Sequence, residues 1–159
     1  MPESLPAPTL YSIGYEKAGF ADFIQTLRSA GVATVIDVRD LPLSRRAGFS
    51  KRQLQAGLAE AGIGYVHLRA LGTPAEGREA NRRRRWPLFW EIVTQSLARP
   101  EAEIALEEAA TIARAAPSCL LCYEAEACIC HRLRVGEMLS ARHGFALSHL
   151  QVTHGFVPP

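Results

Sequence analysis

The chain has 159 residues, 48% of them apolar and 21% charged, which suits one globular domain with a core of ordinary size and excludes disorder. Eighteen basic against sixteen acidic residues leave a formal charge of +2, too small to imply nucleic acid by itself, although sixteen of the eighteen are arginine. Arginine forks onto phosphate and carboxylate; a high arginine content also follows from genomic base composition. No apolar stretch approaches the ~20 residues of a membrane span, and Met1-Pro2-Glu3-Ser4 lacks the basic, then apolar start of a leader. The four cysteines crowd between positions 119 and 130 instead of spreading as a disulfide framework would. One cytoplasmic domain over 1–159, with its core at about 9–152 and no membrane contact, is expected.

Thr9 to Ile13 reads as a short strand stopping at Gly14. Asp22 to Ser29 reads as a helix, with Phe20, Phe23, Ile24 and Leu27 at helical spacing and Gly31 at its end. Val32 to Val38 is β-branched and apolar, as a strand buried on both faces should be. Arg39 to Phe49 reads as a loop, after which Ser50 is placed to cap a helix bearing Leu54 and Leu58. Ile63 to Leu68 is a third strand, and the polar, arginine-rich stretch Arg69 to Arg85 reads as a long loop. Helices over Leu88 to Leu97 and Ala102 to Ala115 precede a fourth strand, Cys119 to Tyr123. A helix over His131 to Arg142 ends at Gly144, Phe145 to Leu150 is a fifth strand, and Val157-Pro158-Pro159 is a tail. Strands alternating with helices predict a three-layer α/β fold, a mostly parallel five-stranded sheet covered on both faces, Rossmann-like or flavodoxin-like.

Ligands of such sheets bind beyond the carboxyl ends of the strands. That rule gathers Gly14-Tyr15, Asp37 to Arg39, His67 and Cys122 to Glu124 at one edge, far apart as they are in sequence. The densest group runs from Cys122 to Arg132, from a strand end through a loop into a helix start. A helix N-terminus with Arg132 in its first turn favours an anion, and the same field activates a nearby thiol. Cys119 reads as a small core side chain; Cys122, at the strand end, reads either so or as a nucleophile. Cys122, Cys128, Cys130 and His131 form a zinc-type ligand set, but without paired spacing. Neighbouring Cys130 and His131 are expected to point apart on a helix start, so metal-free thiols are expected.

Asp37 and Arg39, two apart on a strand, share a face and either pair with each other or meet a ligand. Ser44, Arg45 and Arg46 follow in the loop. His67 sits at a strand end with a side chain suited to acid–base work near neutral pH. Arg82 to Arg85, followed by Trp86 and Trp90, suits phosphate contact with base stacking, or else a solvated loop anchored by its tryptophans. The glycines form no phosphate-loop or dinucleotide pattern, and no nucleophile-elbow motif is present, so the sequence names no cofactor and leaves that open.

Several short segments, taken in order, resemble the domain of unknown function family DUF488. They are Ser12-Ile13-Gly14-Tyr15; Ile36-Asp37-Val38-Arg39 with Pro42 and Ser44-Arg45; Gly62-Ile63-Gly64-Tyr65-Val66-His67 leading to Leu71-Gly72; Leu121-Cys122-Tyr123-Glu124 followed by Cys130-His131-Arg132; and His149-Leu150. The resemblance implies a compact bacterial or archaeal α/β domain and brings no settled activity. The chain departs from the family pattern at Tyr15, where His is usual, at Thr73-Pro74, where a second Gly is common, and at the extra Cys128.

The leading expectation is an enzyme-like pocket for a phosphate-bearing small molecule or a nucleic-acid end. Gly14, Tyr15, Arg39, Ser44, Arg45, Cys130, His131 and Arg132 are expected around the ligand, with Arg39, Arg45 and Arg132 on its anionic group. Asp37, Glu124 and His67 are expected to move protons, and Cys122 to act as nucleophile. The alternatives are a non-catalytic nucleic-acid binding module using Arg82 to Arg85, and a thiol redox or zinc sensor using Cys122, Cys128 and Cys130.

Overall fold

The computed structural model describes residues 6–155; the expected tail at 157–159 lies outside them. Five parallel strands form one sheet: β1 (Thr9–Gly14), β2 (Thr34–Asp37), β3 (Gly64–His67), β4 (Ser118–Cys122) and β5 (Ala146–Leu150). Their order is β3-β2-β4-β1-β5. The three-layer α/β class stands, and every pairing is parallel. The order itself is neither the Rossmann nor the flavodoxin one, because β4 separates β1 from β2, which both of those orders keep adjacent.

Among the described residues six helices cover the sheet: α1 (Phe20–Ser29), α2 (Lys51–Glu60), α3 (Ala75–Arg82), α4 (Trp86–Leu97), α5 (Pro100–Ala115) and α6 (His131–His143). Alternation along β4 sends Cys119 and Leu121 to one face, where they meet Phe23, Leu27, Leu54 and Leu58 of α1 and α2. Leu120 and Cys122 go to the other face, against α4, α5 and α6 through Phe89, Val93, Leu106, Val135 and Leu139. Each large apolar side chain buried in this way contributes about 1.5–3 kcal/mol. No helix among the described residues is long and apolar enough to cross a membrane.

Two local readings change. Ser50 does occupy the residue before α2, but its hydroxyl donates to the Ser44 carbonyl and accepts from the Ser44 amide, tying the loop and leaving the helix uncapped by a side chain. The expected long loop from Arg69 to Arg85 is a turn of 3₁₀ helix (Arg69–Leu71) followed by α3. The buried residues of α3 are only Gly77 and Ala80, so it carries no apolar stripe to be recognised by. Its closeness to α4 depends on the missing side chain at Gly77, where a Cβ would stand 2.4 Å from Thr73 Cγ2 and 3.1 Å from Ile92 Cγ2.

Candidate functional site

The carboxyl edge of the sheet opens into a cavity of about 680 Å³. After β1, Tyr15 and Glu16 line it; after β2, Arg39 to Leu41 and Leu43 to Arg45; after β4, Cys122 to Glu124. His131 closes the floor, and α3 with the start of α4 forms the facing wall through Thr73, Arg78, Asn81, Arg82, Arg84, Trp86 and Phe89. The β1–β4 ladder runs past the strand ends, with the Tyr15 amide donating to the Cys122 carbonyl (3.3 Å) and the Glu16 amide to the Tyr123 carbonyl (2.8 Å). That register sets the two loops side by side.

On the floor, Cys122 Sγ stands 3.5 Å and Cys130 Sγ 3.9 Å from His131 Nδ1. All three side chains are buried. His131 Nε2 donates to the Val38 carbonyl at 2.7 Å, which leaves Nδ1 to face the sulfurs. The expected divergence of Cys130 and His131 does not occur. Cys130 has an extended backbone (φ −122°, ψ 140°) just before α6, so its side chain turns inward beside that of the first helical residue. Burial pushes the Cys122 thiol up, and Cys130 beside it pushes it further. Burial opposes ionisation of Cys130 too, but hydrogen bonding with Cys122 and His131 and the charges of His131 and Arg132 outweigh it and hold that thiol below its usual range. Burial, and next the Cys130 charge, raise the Glu124 carboxyl to about 8. Cys128 is exposed beside Glu126, apart from the cluster, and Cys119 is buried in the opposite core.

Gly14 and Arg132 build the loop above this floor and do not line the cavity. A Cβ on Gly14 would stand 1.7 Å from the Glu124 carbonyl oxygen, so only glycine lets the loop cross the end of β1. Arg132 is fully buried. Its Nε donates to Ser12 Oγ (3.1 Å), Nη2 to the Ala125 carbonyl (3.2 Å) and Nη1 to the Glu124 carbonyl. The Ala125 amide in turn donates to Glu16 Oε1 at 3.1 Å.

Asp37 and Arg39 pair with each other. Asp37 is sealed from solvent between Arg39 and the Tyr65 hydroxyl, which donates to it at 2.6 Å. Arg39 reaches on to the Phe49 carbonyl (2.7 Å) and the Tyr15 hydroxyl (3.2 Å), and the Tyr15 ring stacks on Phe49 with centroids 4.6 Å apart. His67 lies behind this group, between the Arg39 carbonyl (2.7 Å from Nε2) and Lys51 Nζ (3.3 Å from Nδ1). Neither Asp37 nor His67 lines the cavity, whereas Tyr15, Arg39, Ser44, Arg45, Cys122, Glu124 and His131 do.

Sequence reasoning singles out Arg82 to Arg85 and Trp86 but misses that α3 forms a wall of this cavity. Arg78 pairs with Asp40 at 2.8 Å, Arg82 and Arg83 pair with Glu79, and Asn81 Nδ2 holds the Ile129 carbonyl at 2.7 Å, fastening the wall to the floor loop. Arg45 and Arg84 have no ion-pair partner among the described residues. Arg84 holds a left-handed backbone, φ 56°. Thr73 is 5% exposed, and its Oγ1 is buried with no hydrogen-bond partner among the described residues. The sequence signal for the helix itself is Pro74 followed by Glu76, a helix-start pattern.

The profile of the domain of unknown function DUF488 matches residues 19–139. No curated protein and no solved structure matches the chain.

Proposed function

For a chain that belongs to the DUF488 family, we propose an enzyme whose cavity takes a phosphate-bearing small molecule or a nucleic-acid end. The observation that carries this reading is the pairing, across one cavity, of two unneutralised arginines with a buried thiol–imidazole floor. Arg45 and Arg84 hold the anionic group, for which a guanidinium fork is well shaped. Tyr15, Trp86 and Phe89 give the rest of the ligand an aromatic wall, in keeping with the mostly apolar lining of small-molecule sites. Cys122, His131 and Glu124 face the ligand as the reactive floor. Arg39 is committed to Asp37, and Arg132 to loop carbonyls. Arg39 is thus a fixed part of the cavity wall and Arg132 shapes the site from behind, with Asp37 and His67 as supports of that frame.

The test is thermal unfolding against nucleotides, sugar phosphates and short oligonucleotides, with Arg45→Ala and Arg84→Ala beside the native chain. A ligand that binds only the folded state raises the melting temperature by mass action. A shift with a phosphate compound that shrinks in both variants supports the reading and names the substrate class. A shift with oligonucleotides alone, unchanged in Arg45→Ala and reduced in Arg84→Ala, removes it in favour of the nucleic-acid binding module that uses Arg82 to Arg85.

A further inference from the structure

We propose that Cys122, Cys130 and His131 form a mononuclear zinc site with three protein ligands and a fourth position facing the cavity. Sequence spacing argues against such a site, because Cys130 and His131 are adjacent and no cysteine pair recurs. The extended backbone at Cys130 removes that objection by turning both side chains to the same point. The three ligand atoms lie within 4.8 Å of one another, with Sγ to Nδ1 separations of 3.5 and 3.9 Å. Atoms on a tetrahedral zinc, at about 2.3 Å for sulfur and about 2.0 Å for nitrogen, stand roughly 3.5–3.8 Å apart.

Three further features fit. The Val38 carbonyl takes the Nε2 proton of His131 at 2.7 Å, which fixes the tautomer that presents a lone pair on Nδ1 and is the usual outer partner of a metal-bound histidine. Two thiolates and one Zn²⁺ sum to zero charge, which suits a site where Cys130 is wholly buried, since an uncompensated buried charge is costly. Two sulfurs and an imidazole favour a borderline-soft ion over magnesium or calcium. Cys122 and His131 line the cavity while Cys130 lies behind them, so the remaining coordination position opens towards the ligand, as in catalytic zinc sites. The inference rests on reading this floor as the reactive part of the site, and it makes Cys122 a metal ligand in place of an attacking thiol.

The test is the zinc content of full-length protein purified without chelator, together with the absorption spectrum after cobalt(II) replacement. One zinc per chain is expected to survive gel filtration, to persist in Cys128→Ser, and to be lost in Cys130→Ser and His131→Ala. Cobalt is expected to show sulfur-to-metal charge transfer and the visible bands of four-coordination. Should those variants fail to fold, alkylation of the native chain decides: zinc is expected to protect the cavity-facing Cys122, but not Cys128, until a chelator is added. Protein that retains no zinc, shows no charge transfer with cobalt and alkylates alike with and without zinc overturns the proposal. So does zinc retained by folded Cys130→Ser and His131→Ala. Failure of the anion reading is a separate result, because it appears as unchanged phosphate shifts in the Arg45 and Arg84 variants whatever the zinc content.

Discussion

Asp37 grips Arg39 through both carboxylate oxygens, Nε to Oδ1 at 2.9 Å and Nη2 to Oδ2 at 2.8 Å, with both side chains out of water. The Arg39 amide adds a third bond to Oδ1 at 3.1 Å. Removing one partner of such a pair leaves the other charge buried and uncompensated, at a cost of about 3–5 kcal/mol. Asp37→Asn is therefore expected to lose that much stability in urea unfolding. Asp40→Asn, which breaks the partly exposed pairs with Arg69 and Arg78, is expected to lose only about 0–1 kcal/mol. Equal losses would contradict the structural role assigned to Asp37.

Arg84 ends α3 where glycine is the common choice. Its amide bonds to the Asn81 carbonyl and the Arg85 amide to the Ala80 carbonyl, the paired closure of a helix by a left-handed residue. A side chain in that conformation costs roughly 1–2 kcal/mol, offset in part by the roughly 0.5–1 kcal/mol of extra chain entropy that glycine loses on folding. Arg84→Gly is expected to keep or raise the melting temperature by up to about 1 kcal/mol equivalent and to weaken the shift given by a phosphate ligand. A variant that binds phosphate as well as the native chain would show that the strain serves no ligand.

Thr73 Oγ1 is the buried side-chain polar atom left without a partner among the described residues, and its residue lines the cavity. An unsatisfied buried group costs about 1–3 kcal/mol. Thr73→Val keeps the shape and deletes the hydroxyl, so the ligand-free protein is expected to gain on the order of 1 kcal/mol. If the hydroxyl meets the ligand, the ligand-induced shift falls in the same variant. A destabilised Thr73→Val protein would mean that the hydroxyl is already satisfied in the folded state.

What the sequence disclosed and what it hid have separate physical causes. The strands and their covering helices were legible because runs such as Thr34 to Asp37, and spacings such as Leu54 with Leu58, record burial directly. Of the residues that the strand-end rule gathers, Tyr15, Arg39, Cys122 and Glu124 line the cavity, whereas Gly14, Asp37 and His67 support it from outside. The α3 wall was hidden because Gly77 and Ala80 pack by being small, and small residues leave no periodic signal. Arg132 reads as a ligand cation from its place in a helix's first turn; nothing in spacing reveals that the Ser12 hydroxyl and two loop carbonyls surround it. Cys130 and His131 look divergent only if both are taken as helical.

The surroundings of the same buried arginine make stability depend on pH. Ser12 Oγ lies 2.5 Å from His149 Nδ1 across β1 and β5, and accepts from Arg132 Nε at 3.1 Å. With the ring neutral and Nδ1 unprotonated, the hydroxyl accepts from Arg132 and donates its own proton to His149. Partial desolvation of the ring first, and the Arg132 charge second, hold the His149 pKa below the ordinary histidine value. The unfolded chain therefore takes up this proton more readily than the folded one. The contribution to stability is neutral above the unfolded value of about 6.5 and turns unfavourable as pH falls from there through the depressed folded value. Protonation also makes Nδ1 a donor to Ser12 Oγ and sets a second positive charge near Arg132. Acidification from pH ~7 to ~5 is expected to lower the urea midpoint of the native chain more than that of His149→Gln, since an amide does not titrate. Proton NMR of the His149 ring checks the premise: titration at or above the ordinary histidine value would remove it.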